Sequence, residues 1–542
     1  MKILHTPDGV QDIYDQDYEK KVSVEDAIHR VFKEHNYRDI QTPTFEFLNI
    51  FGNEIGTTPS KDLYKFSDRD GEILALRSDF TPAVARCAAK YFMEDADIIR
   101  FTYKGNTFSQ TSELQGKLKE TTQMGVELIG DSSIEADAEV IRLAIDALVR
   151  SGLKTFKLTI GNIDFFKGLC LQFGLTTQQE YTLRDYINSK KYFEAEEYLK
   201  ECNISSEDMD IILGLEDLYG GLDVLDKAGS LISNDESVKA VNHLKALYDI
   251  LKDGGYTDYI TFDLSMVNKY RYYTGMVFRA YTYGVGDCIL KGGRYDNLLA
   301  KFGKDSAAIG FVILIDDLLQ ALKNADNAGD DYITFALTKG RLADKTLSLL
   351  ESIGITCEEM KDKDTRKLIF VNEDLKLKFF LSKGPDVPTY VEYGAADIGV
   401  VGEDTILEED RSIYEVLDLN FGKCRMCVCG PAEASELLKH HEKIRVCTKY
   451  PKIAKDYFYN KKAQTVELIK LNGSVELGPI VGLGDVIVDI VETGSTLREN
   501  GLTVLEEICP LSARVVVNKV SMQMQATRIR ELIAKLKTVI PE

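Results

Sequence analysis

Two near-continuous apolar runs, ADIGVVG at 396–402 and DVIVDIVETG at 485–494, constrain this chain more than any other feature. A strand with one wet face alternates apolar and polar residues; a strand that is apolar on both sides has to be covered on both sides. An earlier run, YITFALT at 332–338, leads into Ala343, Leu347, Leu350 and Ile353 at helical spacing. The pattern predicts parallel α/β sheets flanked by helices. The run at 485–494 also carries two acids, Asp489 and Glu492, straight into a small hydroxyl-rich turn, Thr493-Gly494-Ser495-Thr496. Such a turn offers backbone N–H and hydroxyl groups, which suit a phosphate, while carboxylates beside it suit sugar hydroxyls and a metal ion.

At 542 residues the chain is too long for one core. Apolar periodicity stops in ALKNADNAGDD at 321–331, which puts the main boundary near 328. Before it, Val24, Ala27, Ile28, Val31 and Phe32 form a helical stripe, followed by the extended YRDIQTPTFEF with Pro43 inside it. A proline there points to an edge or a specialised contact. Residues 165–255 are mostly helical in pattern, as an inserted subdomain would be.

A formal charge of −21 argues against a general nucleic-acid or anionic-membrane surface, so a phosphate-bearing ligand has to be small and locally held. Neither a signal peptide nor an apolar stretch of about 18 residues is present, and a cytoplasmic location is expected. Ten cysteines without a framework fit reduced thiols. Cys424, Cys427 and Cys429 lack a second pair at zinc spacing and read as a buried strand, so no protein-bound metal site is expected.

Three further segments of the second part bear on chemistry. TKGRL at 338–342 joins a strand to a helix, where free N–H groups and the helix dipole favour anions, and Lys339 and Arg341 add charge. Taken alone, it reads more readily as a solvated turn. NGSVELGP at 472–479 supplies Ser474 and Glu476, or is an ordinary loop. FGKCRMCVCG at 421–430 sets Arg425 among apolar neighbours, where a structural carboxylate would serve as well as a substrate phosphate. The acid-and-turn stretch is the most specific, its plain alternative being a simple strand-turn.

TKGRL, DVPTYVEYGAADIGVVGED, LDLNFGKCRM, GSVELGP and DVIVDIVETGSTLRENGL, in that order, resemble the catalytic subunit of ATP phosphoribosyltransferase, the first enzyme of histidine biosynthesis. The resemblance covers about residues 332–540. It implies a two-lobed α/β architecture like that of periplasmic binding proteins. It implies that Thr493, Gly494, Ser495 and Thr496 bind the 5-phosphate of phosphoribosyl pyrophosphate, with Asp489 and Glu492 at the ribose. Lys339, Arg341 and Arg425 would contact pyrophosphate or ATP phosphates, and Ser474 and Glu476 would join the substrate site. Lys383 stands where the family usually has arginine, which keeps the charge but loses the fork. With the sequence ending at Glu542, the second part resembles the short form of the enzyme, which depends on a separate regulatory subunit.

TPDGVQDI, LRSDFTPAVAR, RFTYKGNTF, QMGVELIG, YYTGMVF and GGRYDNL resemble the core of histidyl-tRNA synthetase, a class II antiparallel-sheet fold, over about residues 1–320. The helix and the Pro43 strand correspond to the dimer-forming motif of that class. Three positions depart: Ser109, Asn268 and Asp317 stand where arginines would activate the amino acid, so aminoacylation is not expected, and nearby Arg271 cannot replace all three. The amino-acid pocket is kept in Asp79, Thr81, Gln123, Glu127, Tyr272 and Tyr273, although Asp79 is shorter than the usual glutamate. Inherited packing without a ligand is the plain alternative. A kept pocket with lost activation residues is similar to the regulatory subunit of the short-form transferase.

The implied whole is a fusion: a regulatory domain at 1–325, a linker at 326–331 and a catalytic domain at 332–542. It would transfer phosphoribosyl from phosphoribosyl pyrophosphate to N1 of ATP with Mg²⁺, under feedback inhibition by histidine, as a homo-oligomer that dimerises through its first domain. The sequence also admits two rivals: a small-molecule binding module in the second part, and a non-catalytic scaffold or a synthetase acting on another acceptor.

Overall fold

The structure, a computed structural model, describes residues 4–52, 55–56, 58–92, 98–111, 116–189, 191–267, 272–324, 332–361, 367–439 and 443–540. The expected linker 326–331, and Asn268 and Arg271, lie outside the described residues. The chain divides into two units, Met1–Gly329 and Asp330–Glu542.

The first unit is built on a nine-stranded mixed sheet whose middle is antiparallel. Ile99–Phe108, Glu120–Ile129, Ala308–Leu314, Leu290–Arg294, Met276–Tyr281 and Lys157–Asn162 lie side by side in that order. Lys157–Asn162 pairs in parallel with Ile260–Asp263, and a parallel pair requires a crossover. Helices running from Ile163–Gln172 to Asp235–Asp253 supply that crossover. Helix Asp15–Glu34 buries Val24, Ile28, Val31 and Phe32, the stripe that the sequence predicts, and Phe32 meets Phe311 edge-on at 5.8 Å. Pro43 precedes Phe45–Phe47, an edge strand of a small three-stranded sheet, where a missing N–H breaks no ladder.

The second unit holds two sheets, one six-stranded and one five-stranded. Each has a parallel centre: Leu377–Ser382, Ile333–Thr338 and Ile398–Gly402 in the first, Val466–Lys470, Ile444–Thr448 and Val486–Val491 in the second. The wholly parallel expectation is therefore corrected to mixed sheets. The cause is that the chain passes between the lobes as extended strand. Tyr414–Asp418 continues into Cys424–Gly430 and Thr503–Leu511 into Ala513–Val517, and each crossing adds antiparallel strands to both sheets. Apolar clusters cover both sheets, which accounts for the two-sided apolar runs.

Gly399 shows how closely those layers meet. A Cβ there would lie 2.8–2.9 Å from methyl groups of Val391, Val387 and Val516. Gly399→Ala is therefore expected to destabilise the second unit by about 1–3 kcal/mol through overpacking, read as a lower midpoint in urea unfolding. An unchanged midpoint would mean that the layers yield freely.

Candidate functional site

In the second unit the noted residues gather at the carboxyl ends of the parallel strands, where open α/β sheets bind ligands. Lys339 follows Ile333–Thr338, and its N–H donates to the Ser382 carbonyl at 2.9 Å. This bond sets Lys339 and Lys383, both exposed, at adjoining strand ends. Gly340, at φ +96°, turns the chain into helix Arg341–Ser352.

Across from them, Val486–Val491 ends in Glu492 and the turn. Gly494 takes a left-handed φ of +70°, which favours glycine, and helix Ser495–Glu499 begins directly after it. The Thr493 and Ser495 hydroxyls lie 3.1 Å apart, and the Ser495 N–H donates to Thr493 Oγ1 at 3.4 Å. Arg341 Nη2 lies 3.8 Å from Glu492 Oε2, so the two lobes face each other through these loops. Both side chains are mostly exposed, and the pair contributes little to stability.

Asp489 is half-buried. Burial, with Glu476 and Asp404 nearby, pushes its carboxyl up to about 6, while the Ile490 N–H and Lys449 pull it down. Glu476 thus joins Asp489 electrostatically, and exposed Ser474, at φ +48°, opens the loop that carries Glu476. Arg425 Nη1 donates to Glu507 Oε2 at 2.7 Å, so the carboxylate it meets lies on the neighbouring strand Thr503–Leu511. On the opposite flank, Tyr450 OH donates to Asp404 Oδ2 at 3.2 Å, and the Glu408 carboxylate accepts the Lys452 and Ile453 N–H groups at 3.1–3.2 Å. Lys449 and Tyr450 carried no motif that would have singled them out, whereas Asp404 closes the quoted stretch DVPTYVEYGAADIGVVGED without having been picked as a site residue.

The first unit encloses a cavity of about 350 Å³, including its mouth, lined by Asp79, Thr81, Glu127, Tyr272, Tyr273 and Lys291, with Tyr295 and Gly310 behind Glu127. Five of the six noted positions line it. Gln123 is the exception: it lies on the face of strand Glu120–Ile129 that carries Glu127, and its buried Oε1 meets no partner among the described residues.

Glu127 is 1 % exposed. Thr81 Oγ1 donates to it at 2.7 Å, Tyr103 OH at 3.4 Å, and Tyr295 OH from the far side. Burial raises its carboxyl to about 8; Asp79 adds to the rise and the three hydroxyls oppose it. Gly310 pairs with Glu127, and a Cβ there would stand 1.8 Å from Glu127 Oε2. Tyr295 lay within GGRYDNL and Tyr103 within RFTYKGNTF, so those motifs were a signal for them; nothing in the sequence set Gly310 or Lys291 apart.

At the departures, Ser109 Oγ donates to the Asp62 carbonyl at 3.5 Å. Asp317 is pushed up to about 6 by burial and by Asp287 and Asp316, with Lys291 opposing.

Comparison with known proteins agrees with both halves. The histidyl-tRNA synthetase family profile matches residues 9–318, and the ATP phosphoribosyltransferase profile matches 383–538. An ATP phosphoribosyltransferase of Lachnoclostridium phytofermentans is 75 % identical over 211 residues, 39 % of this chain and 98 % of that protein. An ATP phosphoribosyltransferase regulatory subunit of Acetivibrio thermocellus is 42 % identical over 319 residues, 59 % of this chain and 76 % of that protein. The solved structure of an ATP phosphoribosyltransferase regulatory subunit/histidyl-tRNA synthetase from Bacillus halodurans matches with TM-score 0.56 and 29 % identity, over 70 % of this chain and 99 % of that one. The class so defined is a pentosyl-transferring enzyme with a synthetase-like half. The chain belongs to the ATP phosphoribosyltransferase family and carries a regulatory-subunit half and a transferase half in one polypeptide.

The Glu127 carboxyl is buried. Its folded pKa lies above the ordinary value of 4.5, so its contribution to stability is full below about pH 4.5, falls as pH rises toward 8, and is gone above that. Glu127→Gln, which cannot ionise, is expected to flatten the fall in melting temperature between about pH 5 and 8. Parallel profiles for parent and variant would overturn the assignment of a buried, titrating Glu127.

Proposed function

We propose that the chain catalyses the first step of histidine biosynthesis, joining N1 of ATP to C1 of phosphoribosyl pyrophosphate with release of pyrophosphate, and that histidine bound in its first unit inhibits it. The observation that carries the transferase assignment is the half-buried Asp489 at a strand end beside the Thr493–Thr496 turn, with Lys339, Arg341 and Lys383 across the cleft. Carboxylates at 489 and 492 face the ribose hydroxyls, and the turn takes the 5-phosphate on backbone N–H groups. The cations, with Arg425, meet pyrophosphate or ATP phosphates, and Ser474 and Glu476 border the sugar. Adenine N1 already has a lone pair, so no general base is needed; attack opposite the departing pyrophosphate inverts C1. The residues position two polyanions and stabilise the leaving charge.

Mg²⁺ fits this donor set in a limited way. Among the described residues no three side-chain donors converge at the turn, but Asp489 and Glu476 supply carboxylate oxygens. One or two carboxylates together with substrate phosphates is the usual way Mg²⁺ is held, and the ion would share the pyrophosphate charge.

We assign the domains as 1–325 and 332–542 with 326–331 as linker, and the second as a two-lobed fold of the periplasmic-binding-protein kind, supported by its two sheets and two strand crossings. In the first, Asp79 and Glu127 suit an α-ammonium and an imidazole N–H and Tyr272 and Tyr273 frame a ring, while Gln123 stands off the cavity wall. Exposed Phe45, Phe47, Phe66 and Ile73 on the small sheet support a dimer through this domain. Ten free thiols support a reducing, cytoplasmic setting; no helix among the described residues is long and apolar enough to cross a membrane.

Initial rates with ATP, phosphoribosyl pyrophosphate, Mg²⁺ and pyrophosphatase, with and without histidine, test both halves. Turnover suppressed by histidine is expected, and Glu127→Ala should abolish the suppression while largely sparing turnover. Suppression undiminished in that variant would remove the pocket assignment. Asp489→Asn and Thr493→Ala are each expected to raise the KM for phosphoribosyl pyrophosphate about tenfold or more, the scale of a lost charged or phosphate hydrogen bond. Unchanged kinetics would take the turn out of the site.

A further inference from the structure

We infer that Lys449 is a further substrate-binding residue of the transferase, holding the pyrophosphate arm of phosphoribosyl pyrophosphate. The inference rests on the transferase reading above and adds a residue to it. Strand Ile444–Thr448 runs parallel to Val486–Val491, with Thr448 opposite Val488, so the next positions, Lys449 and Asp489, stand side by side at the two strand ends. Neighbouring strands lie about 4.8 Å apart, within a lysine's reach.

The backbone on either side of Lys449 is fixed. Thr448 is fully buried, and its Oγ1 donates to the Val488 carbonyl at 2.7 Å while accepting the Tyr450 N–H at 2.8 Å. Tyr450 is buried and bonded to Asp404 in the other lobe. Between these two anchored residues Lys449 alone is exposed. It forms no ion pair among the described residues; its ammonium lies 5.4 Å from the Tyr450 ring.

An exposed lysine is ordinarily a solvated surface charge. This one is held by its neighbours at a cleft between lobes, and both Asp489 and Asp404 feel its charge. The other noted cations stand farther round the cleft: Arg341 faces Glu492, Arg425 is bonded to Glu507, and Lys339 and Lys383 follow strands of the other lobe. The chemistry of the sugar substrate selects the group Lys449 meets. The turn takes the 5-phosphate and Asp489 takes ribose hydroxyls, which leaves the pyrophosphate on C1 as the remaining anion for a cation one strand over. An ammonium there attracts the bound diphosphate and stabilises the charge that grows on it as the C1–O bond breaks.

The test uses the full chain with Lys449→Met and Lys449→Arg, in two readouts: initial rates, and calorimetric titration with phosphoribosyl pyrophosphate and Mg²⁺. With a parent that turns over, Lys449→Met is expected to weaken phosphoribosyl pyrophosphate about tenfold or more in KM and in Kd, to weaken inhibition by pyrophosphate in parallel, and to leave the ATP KM within about twofold. Lys449→Arg, which keeps the charge, should recover most of the loss. Unaltered binding in Lys449→Met would overturn the inference and leave the transferase reading standing, as would a rise confined to the ATP KM. A parent that neither turns over nor binds the sugar substrate would sink the transferase reading itself, and the inference with it.

Discussion

A carboxylate withdrawn from water governs the first unit. Glu127 projects from the middle of an antiparallel sheet, where an uncompensated charge would be costly. Three hydroxyls, from Thr81, Tyr103 and Tyr295, converge on its two oxygens. Each comes from a different element: the start of helix Thr81–Tyr91, strand Ile99–Phe108, and the segment following strand Leu290–Arg294. The carboxylate therefore fixes the mutual position of three pieces of chain, and the cavity wall is their shared surface. Gly310 is the complement of this arrangement, since any side chain on it would occupy the space of the carboxylate. Arg294 extends the support outward. It is ion-paired with Asp137, which is fully buried and also meets His243 of the crossover helices, so Tyr295 sits beside a second buried ionic knot.

The second unit relies on a different constraint. Two extended segments pass between its lobes, so neither sheet can be rearranged without disturbing the other. The flank at Asp404 and Glu408 adds a further tie, a buried tyrosine hydroxyl and a capped helix start. Strand ends of both lobes then meet at one cleft. Preorganisation of this kind is what catalysis by positioning needs, because substrate orientation must not be lost to lobe motion.

The legible parts of this sequence were those where a short stretch carries both its fold and its chemistry. DVIVDIVETGST announced a two-sided buried strand and the turn after it, and the structure has both. The stripe ending in Val31 and Phe32 likewise became helix Asp15–Glu34. Pairing direction was not legible, because an apolar run reads the same whether its neighbour runs parallel or antiparallel. Ile398–Gly402 has one neighbour of each kind. Residues whose meaning comes only from what the fold sets beside them were also hidden. Gly310 is one glycine among 40, and Lys449 one cation among 66, until strand register places Glu127 and Asp489 next to them.

The two units use opposite electrostatics. In the first, Asp317 stands at the position where the resemblance to the synthetases implies an arginine. Asp287 and Asp316 deepen the negative potential around it, and Lys291, on the cavity wall, is the charge that opposes them. A triphosphate approaching that end would meet like charge in a poorly solvated place, where repulsion is strong. On the cavity wall the reverse holds, since the Asp79 carboxylate would attract a small cationic or zwitterionic ligand. The second unit keeps exposed lysines and arginines at its strand ends, around a carboxylate whose own charge is weakened by burial. The two units thus present opposite local charge. A chain with net charge −21 can carry a site for two polyphosphates because the attraction is local, built at strand ends and within about 10 Å, the range over which salt leaves charges in contact.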